Sequence, residues 1–143
     1  IQLDNLNMSG DVKYKAHVQD VGWQDYVFGG KIAGTVGKNK QVEAICIELT
    51  GKVSENYNVY YRVHASEFGW LGWAKNGEKA GSEGYARQVE AIQIKLVKKE
   101  ESFSCGNIPS FFKKEKMQHC CIFYLRKLGI ESGIHCCEVK LMI

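Results

Sequence analysis

The stretch EAICIEL at residues 43–49 recurs, with two substitutions, as EAIQIKL at residues 90–96. When the sequence is shifted by 47 positions, residues 12–49 align with residues 59–96 without a gap, and 16 of 38 positions are identical. The identities include tryptophan, glycine and histidine, which β-propensity alone does not place in register. The chain therefore contains a duplication, and a repeat architecture is the frame for its fold.

Each repeat opens with a segment of alternating character, VKYKAHVQ at residues 12–19 and VYYRVHAS at residues 59–66. Successive side chains of a strand point to opposite faces of a sheet. The alternation thus places Tyr14 with the apolar side chains on one face, and Lys15 and His17 on the other. We expect a strand with one core face and one polar face.

Two turn signals lie at equivalent places, Gly-Gly at residues 29–30 and Asn-Gly at residues 76–77. Both dipeptides tolerate two successive positive φ angles, as a two-residue type I′ turn requires. They predict a hairpin in each repeat, whose second strand runs into Ala33-Gly34 or Ala80-Gly81. Together with the closing strand, this gives about four short strands per repeat.

The closing strand carries its bulky side chains, among them Ile45 and Ile47, on one face. Glu43 and Glu90 fall on that same face at the strand entrance. A buried carboxylate needs a hydrogen-bonding partner. The pattern predicts a core strand whose first residue must be satisfied by another polar group.

The organisation that follows is an all-β chain of tandem repeats of about 47 residues. We expect residues 1–11 to be the end of a truncated preceding repeat and a linker, 12–49 and 59–96 to be the intact repeats, 50–58 to be a linker, and 97–143 to be an irregular tail. One repeat cannot bury its apolar face alone, so the repeats must pack together. Four strands per unit suit a pseudo-threefold β-prism or β-trefoil; an open β array is the alternative.

The charge and composition exclude several classes of protein. Residues 1–96 carry 11 Lys and Arg against 11 Asp and Glu, so the net charge of +3 lies in residues 97–143. A neutral body gives no electrostatic reason to expect a nucleic-acid partner. No apolar run reaches the roughly 18 residues that a membrane span needs. Cys46 is the only cysteine of residues 1–96, so this part has no disulfide framework.

The tail, residues 97–143, has five cysteines and no strand alternation. It contains two His-Cys-Cys triplets at 119–121 and 135–137, but vicinal cysteines chelate one ion poorly and common zinc sites space their ligands by two to four residues. We therefore predict no metal site. The tail is either a degenerate third repeat, because KLGIESG at 127–133 faintly echoes the Gly-Trp segment, or the product of a shifted reading frame.

The duplicated segment resembles the clostridial hydrophobic repeat with a Gly-Trp core, known as ChW. The pattern of that family runs approximately Y-x-A-H-V-Q-x-x-G-W-Q, a Gly-rich turn, A-G-T-x-G and E-A-I-x-I-x-L. Residues 12–49 match it nearly throughout, and residues 59–96 match with departures at Ala65-Ser66, Leu71 and Ser82.

This resemblance implies an extracellular or cell-surface protein of a Gram-positive anaerobe, with the repeats in tandem arrays beside hydrolases or adhesion modules. It implies attachment to the cell surface or binding of cell-wall or other extracellular polysaccharide, with surface proteins as further partners. It carries no catalytic residue and no cofactor. We expect a non-enzymatic module.

The candidate site residues are aromatic and polar side chains that recur between the repeats. Trp23 and Trp70 are either sugar-stacking platforms, since an indole offers apolar area to a pyranose ring, or repeated core elements. Trp73 aligns with Tyr26, and its aromatic character is kept while its size is not. The full set of candidate ligand-binding residues is Trp23, Gln24, Tyr26, Trp70, Trp73, His17, His64, Glu43 and Glu90.

A glycosidase would need two carboxylates whose environments drive their pKa values apart. Glu43 and Glu90 are equivalent residues of two repeats and are expected to have equivalent environments. We therefore predict that the chain is not an enzyme. The alternatives to a polysaccharide-binding module are a structural or protein-adhesion array, in which the aromatic residues form the core, and the targeting module of a cell-wall hydrolase.

Overall fold

A computed structural model describes residues 1–4 and 7–114. The tail beyond residue 114, with both His-Cys-Cys triplets, lies outside the described residues. The described part is all-β apart from one short helix, as predicted. Its elements are β1 (Val12–Val18), β2 (Gly22–Trp23), β3 (Val27–Phe28), β4 (Val42–Leu49), α1 (Gly51–Asn56), β5 (Tyr57–Ala65), β6 (Gly69–Trp70), β7 (Ala74–Lys75), β8 (Ala80–Glu83), β9 (Val89–Lys98) and β10 (Phe111–Lys113).

Each repeat builds one sheet around its first strand. β1 pairs with β4 along one edge and with β2 and β3 along the other, and β5 pairs in the same way with β9, β6 and β7. The registers are offset by the repeat length, since Val12 is opposite Leu49 and Val59 is opposite Leu96. All these pairs are antiparallel. The duplication in the sequence is thus a duplication of structure.

The two repeats share one core, which the inward faces of β1, β4 and β5 build. Tyr14 and Tyr61 are buried there at equivalent positions, and their hydroxyls donate hydrogen bonds to the carbonyl oxygens of Lys31 and Glu78. Ile47 packs in the same cluster. A buried phenol needs such a partner, and each tyrosine finds it in the backbone that follows the turn of its own repeat.

The repeats are joined because β8 leaves its own sheet and adds to β4, with Ala44 opposite Gly81 and Ile45 opposite Ala80. β10 then pairs in parallel with the far edge of β8. Gly81 has φ +125°, and a Cβ built there would lie 2.3 Å from the Glu43 carbonyl oxygen. The crossing therefore requires a glycine.

The predicted hairpins are wrong. Asn76 and Gly77 do adopt the expected positive φ angles, 42° and 89°. However, the strand after this turn pairs with β4 of the other repeat rather than with β7. Of the Gly29-Gly30 pair in the first repeat, only Gly30 has a positive φ. Residues 33–36 form no strand, because no strand of the described residues lies beside them. The β-prism or β-trefoil packing stays a prediction.

Described residues of both predicted linker segments, 1–11 and 50–58, make regular backbone contacts. The short helix α1 lies within residues 50–58, and β5 begins at Tyr57. The Gly30 N–H donates to the Ile1 carbonyl oxygen at 2.9 Å, as the Gly77 N–H does to that of Ile47 at 2.8 Å. Ile1 therefore accepts the same backbone hydrogen bond from the first repeat that Ile47 accepts from the second.

Candidate functional site

The tryptophans of both Gly-Trp segments lie on the outer faces of the sheets and outside the buried core. Trp23 is opposite His17 across β1 and β2, with ring centroids 5.4 Å apart. Trp70 and His64 repeat this edge-to-face pair at 5.5 Å. The repeated core aromatic residue is the tyrosine, Tyr14 or Tyr61. The indoles are thus placed where a ligand could reach them.

Each histidine lies against the glutamate that opens the closing strand. The His17 Nδ1 atom is 3.1 Å from Glu43 Oε2, and His64 Nδ1 is 2.9 Å from Glu90 Oε2. Our expectation that the glutamates share the core face is wrong. The register slips by one residue between His17 and Val18, and this bulge turns Glu43 toward the outer face.

The two glutamates are also not in equivalent environments. The Glu43 side chain is 5% exposed and that of Glu90 is 41% exposed. The difference arises because β8 covers β4, whereas no strand in residues 1–4 and 7–114 covers the corresponding edge of β9. Glu43 and Glu90 are equivalent in sequence, but they differ in burial because only β4 is covered by a strand of the neighbouring repeat.

On the first sheet, Glu48 contacts one lysine and one tyrosine of the outer face. The Lys13 ammonium lies 2.8 Å from Glu48 Oε2, and the Tyr26 hydroxyl donates to Glu48 Oε1 at 2.5 Å. The Lys13 ammonium first, and the Tyr26 hydroxyl second, lower the pKa of Glu48. Burial, followed by the bond to Glu48, raises the pKa of Tyr26. Lys15 covers the Trp23 and Tyr26 rings.

The lowered pKa of Glu48 predicts that the free energy of unfolding depends on pH. Because its pKa is lower in the folded chain than in the unfolded chain, its contribution is complete above the unfolded value and is lost as the pH falls through the folded value. The site is partly solvated, so we expect less than about 1 kcal/mol. Urea unfolding should show a smaller loss of stability between pH 7 and pH 3 for Glu48→Gln than for the parent. Equal losses would contradict the assignment.

On the second sheet, a guanidinium lies between two indoles. The Arg62 Cζ atom is 4.9 Å from the Trp70 ring centroid and 4.8 Å from that of Trp73. The Arg62 Nε atom donates to Gln93 Oε1 at 2.8 Å, and Lys95 lies 5.5 Å from the Trp73 ring. Trp70 keeps 37% of its surface exposed. This face combines open aromatic surface with positive charge.

Comparison with known families gives two matches. Residues 17–51 and residues 64–98 each match the family model described as Clostridial hydrophobic W, or ChW. The matches are again 47 residues apart. These two segments are ChW repeats. ChW repeats form a family that often occurs in surface and cell-wall proteins. No curated protein and no solved structure matches the chain.

The candidate residues of the two ChW repeats therefore divide into groups. Trp70, Trp73 and His64 share the outer face of the second repeat, and Trp23, Tyr26 and His17 share that of the first, each with its glutamate. Gln24 does not belong to this face. Its side-chain amide accepts a hydrogen bond from the Gly34 N–H at 2.7 Å and donates to the Gly34 carbonyl at 3.2 Å.

Sequence reasoning missed Arg62, Lys95 and Phe103. Arg62 follows the same alternation as His64 and could have been found from it. Phe103 packs edge-on against Trp73 at 5.1 Å, but it lies outside both repeats and no repeat signal marks it. Within residues 1–4 and 7–114, no three His, Cys, Asp or Glu side chains converge on a metal site. No helix among these residues is long and apolar enough to cross a membrane.

Proposed function

We propose that the two ChW repeats form a non-catalytic, extracellular or cell-surface module that binds polysaccharide through the outer face of the second sheet. The observation that carries the proposal is the row of Trp70, Arg62 and Trp73, in which both indoles flank one guanidinium. Indoles offer apolar area to the C–H faces of sugar rings, and guanidinium groups donate to sugar hydroxyls and to acidic groups.

The charges on this face favour an acidic polymer. Arg62 is hydrogen-bonded to the neutral Gln93, and no carboxylate of the described residues forms an ion pair with Arg62 or Lys95. Their positive charge is therefore available to a ligand. Glu90, the acidic residue of this face, is engaged by His64. A glycan that carries carboxylate or phosphate groups fits this arrangement best.

The first sheet offers a poorer platform. Glu48 neutralises Lys13, and Glu83 accepts a hydrogen bond from the Trp23 indole N–H at 3.4 Å. Lys79, which belongs to the second repeat, also lies over the Trp23 ring at 5.2 Å. We therefore assign the main contribution to the second sheet.

Binding of the full chain to insoluble cell-wall polysaccharide and to arrayed neutral and acidic glycans tests the proposal. We expect Trp73→Ala and Arg62→Gln each to weaken binding about tenfold or more, which is about 1.4 kcal/mol. The matched control is Tyr26→Ala, the position equivalent to Trp73, which should change binding by less than about twofold.

Two outcomes would count against the proposal. Equal losses for Tyr26→Ala and Trp73→Ala would remove the assignment to the second sheet. An absence of binding to every polysaccharide, by a chain whose fold is verified by circular dichroism, would favour the competing function of a structural or protein-adhesion array. The pairing of β8 with β4 of the other repeat favours that second function, because backbone hydrogen bonds then hold neighbouring repeats together as one rigid unit.

A further inference from the structure

The closing strands of the two repeats differ in what covers them. β4 has β1 on one edge and β8 on the other, and β9 has β5 on one edge and no strand of the described chain on the other. Ala44 and Ile47 are fully buried, whereas the equivalent Ala91 is exposed and Ile94 is 38% exposed. The free edge of β9 is therefore the counterpart of an occupied edge in the same molecule.

The backbone groups of that free edge can be identified. The Lys99 N–H, just beyond β9, donates to the Asn56 carbonyl. Alternate residues of an antiparallel strand direct their N–H and C=O groups to opposite edges, so those of Ile92 and Ile94 point away from β5. The Ile47 carbonyl, 47 positions before Ile94, points away from its own sheet in the same manner and accepts the Gly77 N–H. An unpaired edge of this kind accepts a further strand.

The first repeat carries the complementary segment. Residues 33–36 correspond to β8, and Gly34 has φ +115° where Gly81 has +125°. The Gly81 N–H, which faces away from β4, donates to the Ser110 carbonyl, and the Gln24 side chain performs that role for Gly34. Gly34 thus has a backbone φ close to that of Gly81 and an equivalent hydrogen bond on one side, but no strand like β4 lies on its other side within the described residues.

Both open edges border the same apolar concavity. Its walls include Ile32 and Ala33 of the first repeat and Val89 and Ile92 of the second. Ile1 lines it as well. A body that enters this space from one side meets the edge of residues 33–36 and the edge of β9 together.

We propose that this concavity is the seat of a third ChW repeat, which pairs with both edges. Its segment equivalent to β8 adds to β9 at Ala91 and Ile92, as β8 adds to β4 at Ala44 and Ile45. Its closing strand runs beside residues 33–36. The Ile1 carbonyl already occupies the position of the last part of that strand, because it accepts the Gly30 N–H as Ile47 accepts that of Gly77. The three repeats then form a closed ring in which each lends one strand to the next.

A chain with an added repeat tests this directly. Because Ile1 is equivalent to Ile47, a copy of residues 12–46 joined before Ile1 completes a third repeat without any foreign linker. We expect amide hydrogen exchange at Ala33 and Ile92 to slow about 100-fold or more relative to the parent chain. We also expect the urea midpoint of unfolding to rise, because the apolar walls become buried.

The variant Ile92→Pro tests whether the added repeat pairs with the edge of β9 without disturbing the fold of the parent chain. Its N–H points away from β5, so proline is tolerated there in the parent chain, but it removes a hydrogen bond that the added repeat needs. We expect Ile92→Pro to abolish the gain in midpoint in the extended chain and Ile92→Val, which keeps the N–H, to retain it.

Four outcomes would overturn the proposal. Unchanged exchange at Ile92 with slower exchange at Ala33 indicates an open array. Slow exchange at Ile92 in the dilute parent chain means that residues beyond 114 already cover the edge. Amide exchange at Ile92 that slows as the concentration of the parent chain rises means that a second copy covers the edge of β9. An equal gain for Ile92→Pro shows that β9 takes no part. None of these readouts involves polysaccharide, so they stand apart from the proposed function.

Discussion

Replacement of Gly81 by alanine is expected to destabilise the chain by about 3 kcal/mol or more. The φ angle of +125° is one that side chains rarely adopt, and such strain costs about 1–3 kcal/mol. In addition, the new Cβ would lie 2.3 Å from the Glu43 carbonyl oxygen and 2.6 Å from the Ala44 Cα atom. These are backbone atoms, so the overlap is relieved only if β8 moves away from β4.

Gly34→Ala is the matched control, because it introduces the same residue at a φ of +115°. Its Cβ would meet only the Val42 Cγ2 atom, at 3.3 Å, so we expect the backbone strain alone, about 1–2 kcal/mol. Urea unfolding of both variants measures the difference. Equal losses would mean that the contact between β8 and β4 contributes nothing beyond the φ angle, and the junction between the repeats would need another explanation.

Ile47→Ala is expected to cost about 2–5 kcal/mol, the usual range when a fully buried isoleucine is truncated and a cavity remains. Ile47 has no exposed surface and packs in the core that both repeats share. Ile94→Ala removes the same atoms at the equivalent position, which is 38% exposed, and we expect a loss of about 1 kcal/mol or less.

The comparison tests whether burial by the neighbouring repeat, rather than the sequence of the strand, determines the stability of the closing strand. Chemical denaturation monitored by tryptophan fluorescence and by far-ultraviolet circular dichroism should give coincident transitions for both variants. A loss for Ile94→Ala as large as that for Ile47→Ala would show that β9 is covered in solution by something outside the described residues.

The features that depend on local pattern were predictable from the sequence. The alternation in residues 12–19 correctly placed Tyr14 inside and Lys15 and His17 outside, because burial of one face imposes a period of two on a strand. The register of 47 residues also carried over into the strand pairing without a change. Both follow from short-range geometry that the duplication repeats.

The features that depend on distant partners were not predictable. The turn at Asn76-Gly77 has the backbone conformation that its residues favour, but no local signal indicates that Ala80, in the strand after it, pairs with Ile45, 35 residues earlier. The bulge that turns Glu43 outward is likewise visible only once β1 and β4 are paired. The regular alternation of side chains along a strand therefore predicted the wrong face for both glutamates.

The candidate site was predictable in its residue types and not in its arrangement. Trp23, Trp70 and Trp73 were identified from their recurrence, but recurrence is equally typical of a core residue, and only the pairing of Trp70 with His64 puts the indole outside. Gln24 shows the opposite case, since its side chain is used to hold Gly34. The contribution of Arg62 depends on Trp70 in β6 and Trp73 between β6 and β7, and no local pattern places these two indoles beside its guanidinium.

Because β8 of one repeat pairs with β4 of the other, the fold also affects how genes for such repeats change their number of units. Unequal recombination between two copies joins the front of one unit to the back of another, wherever the crossover falls. The hybrid unit keeps one strand to give, like Ala80–Glu83, and one edge to receive, like that of Val42–Leu49. Units can therefore be exchanged for one another, or added until a ring of three is closed, without a new contact surface.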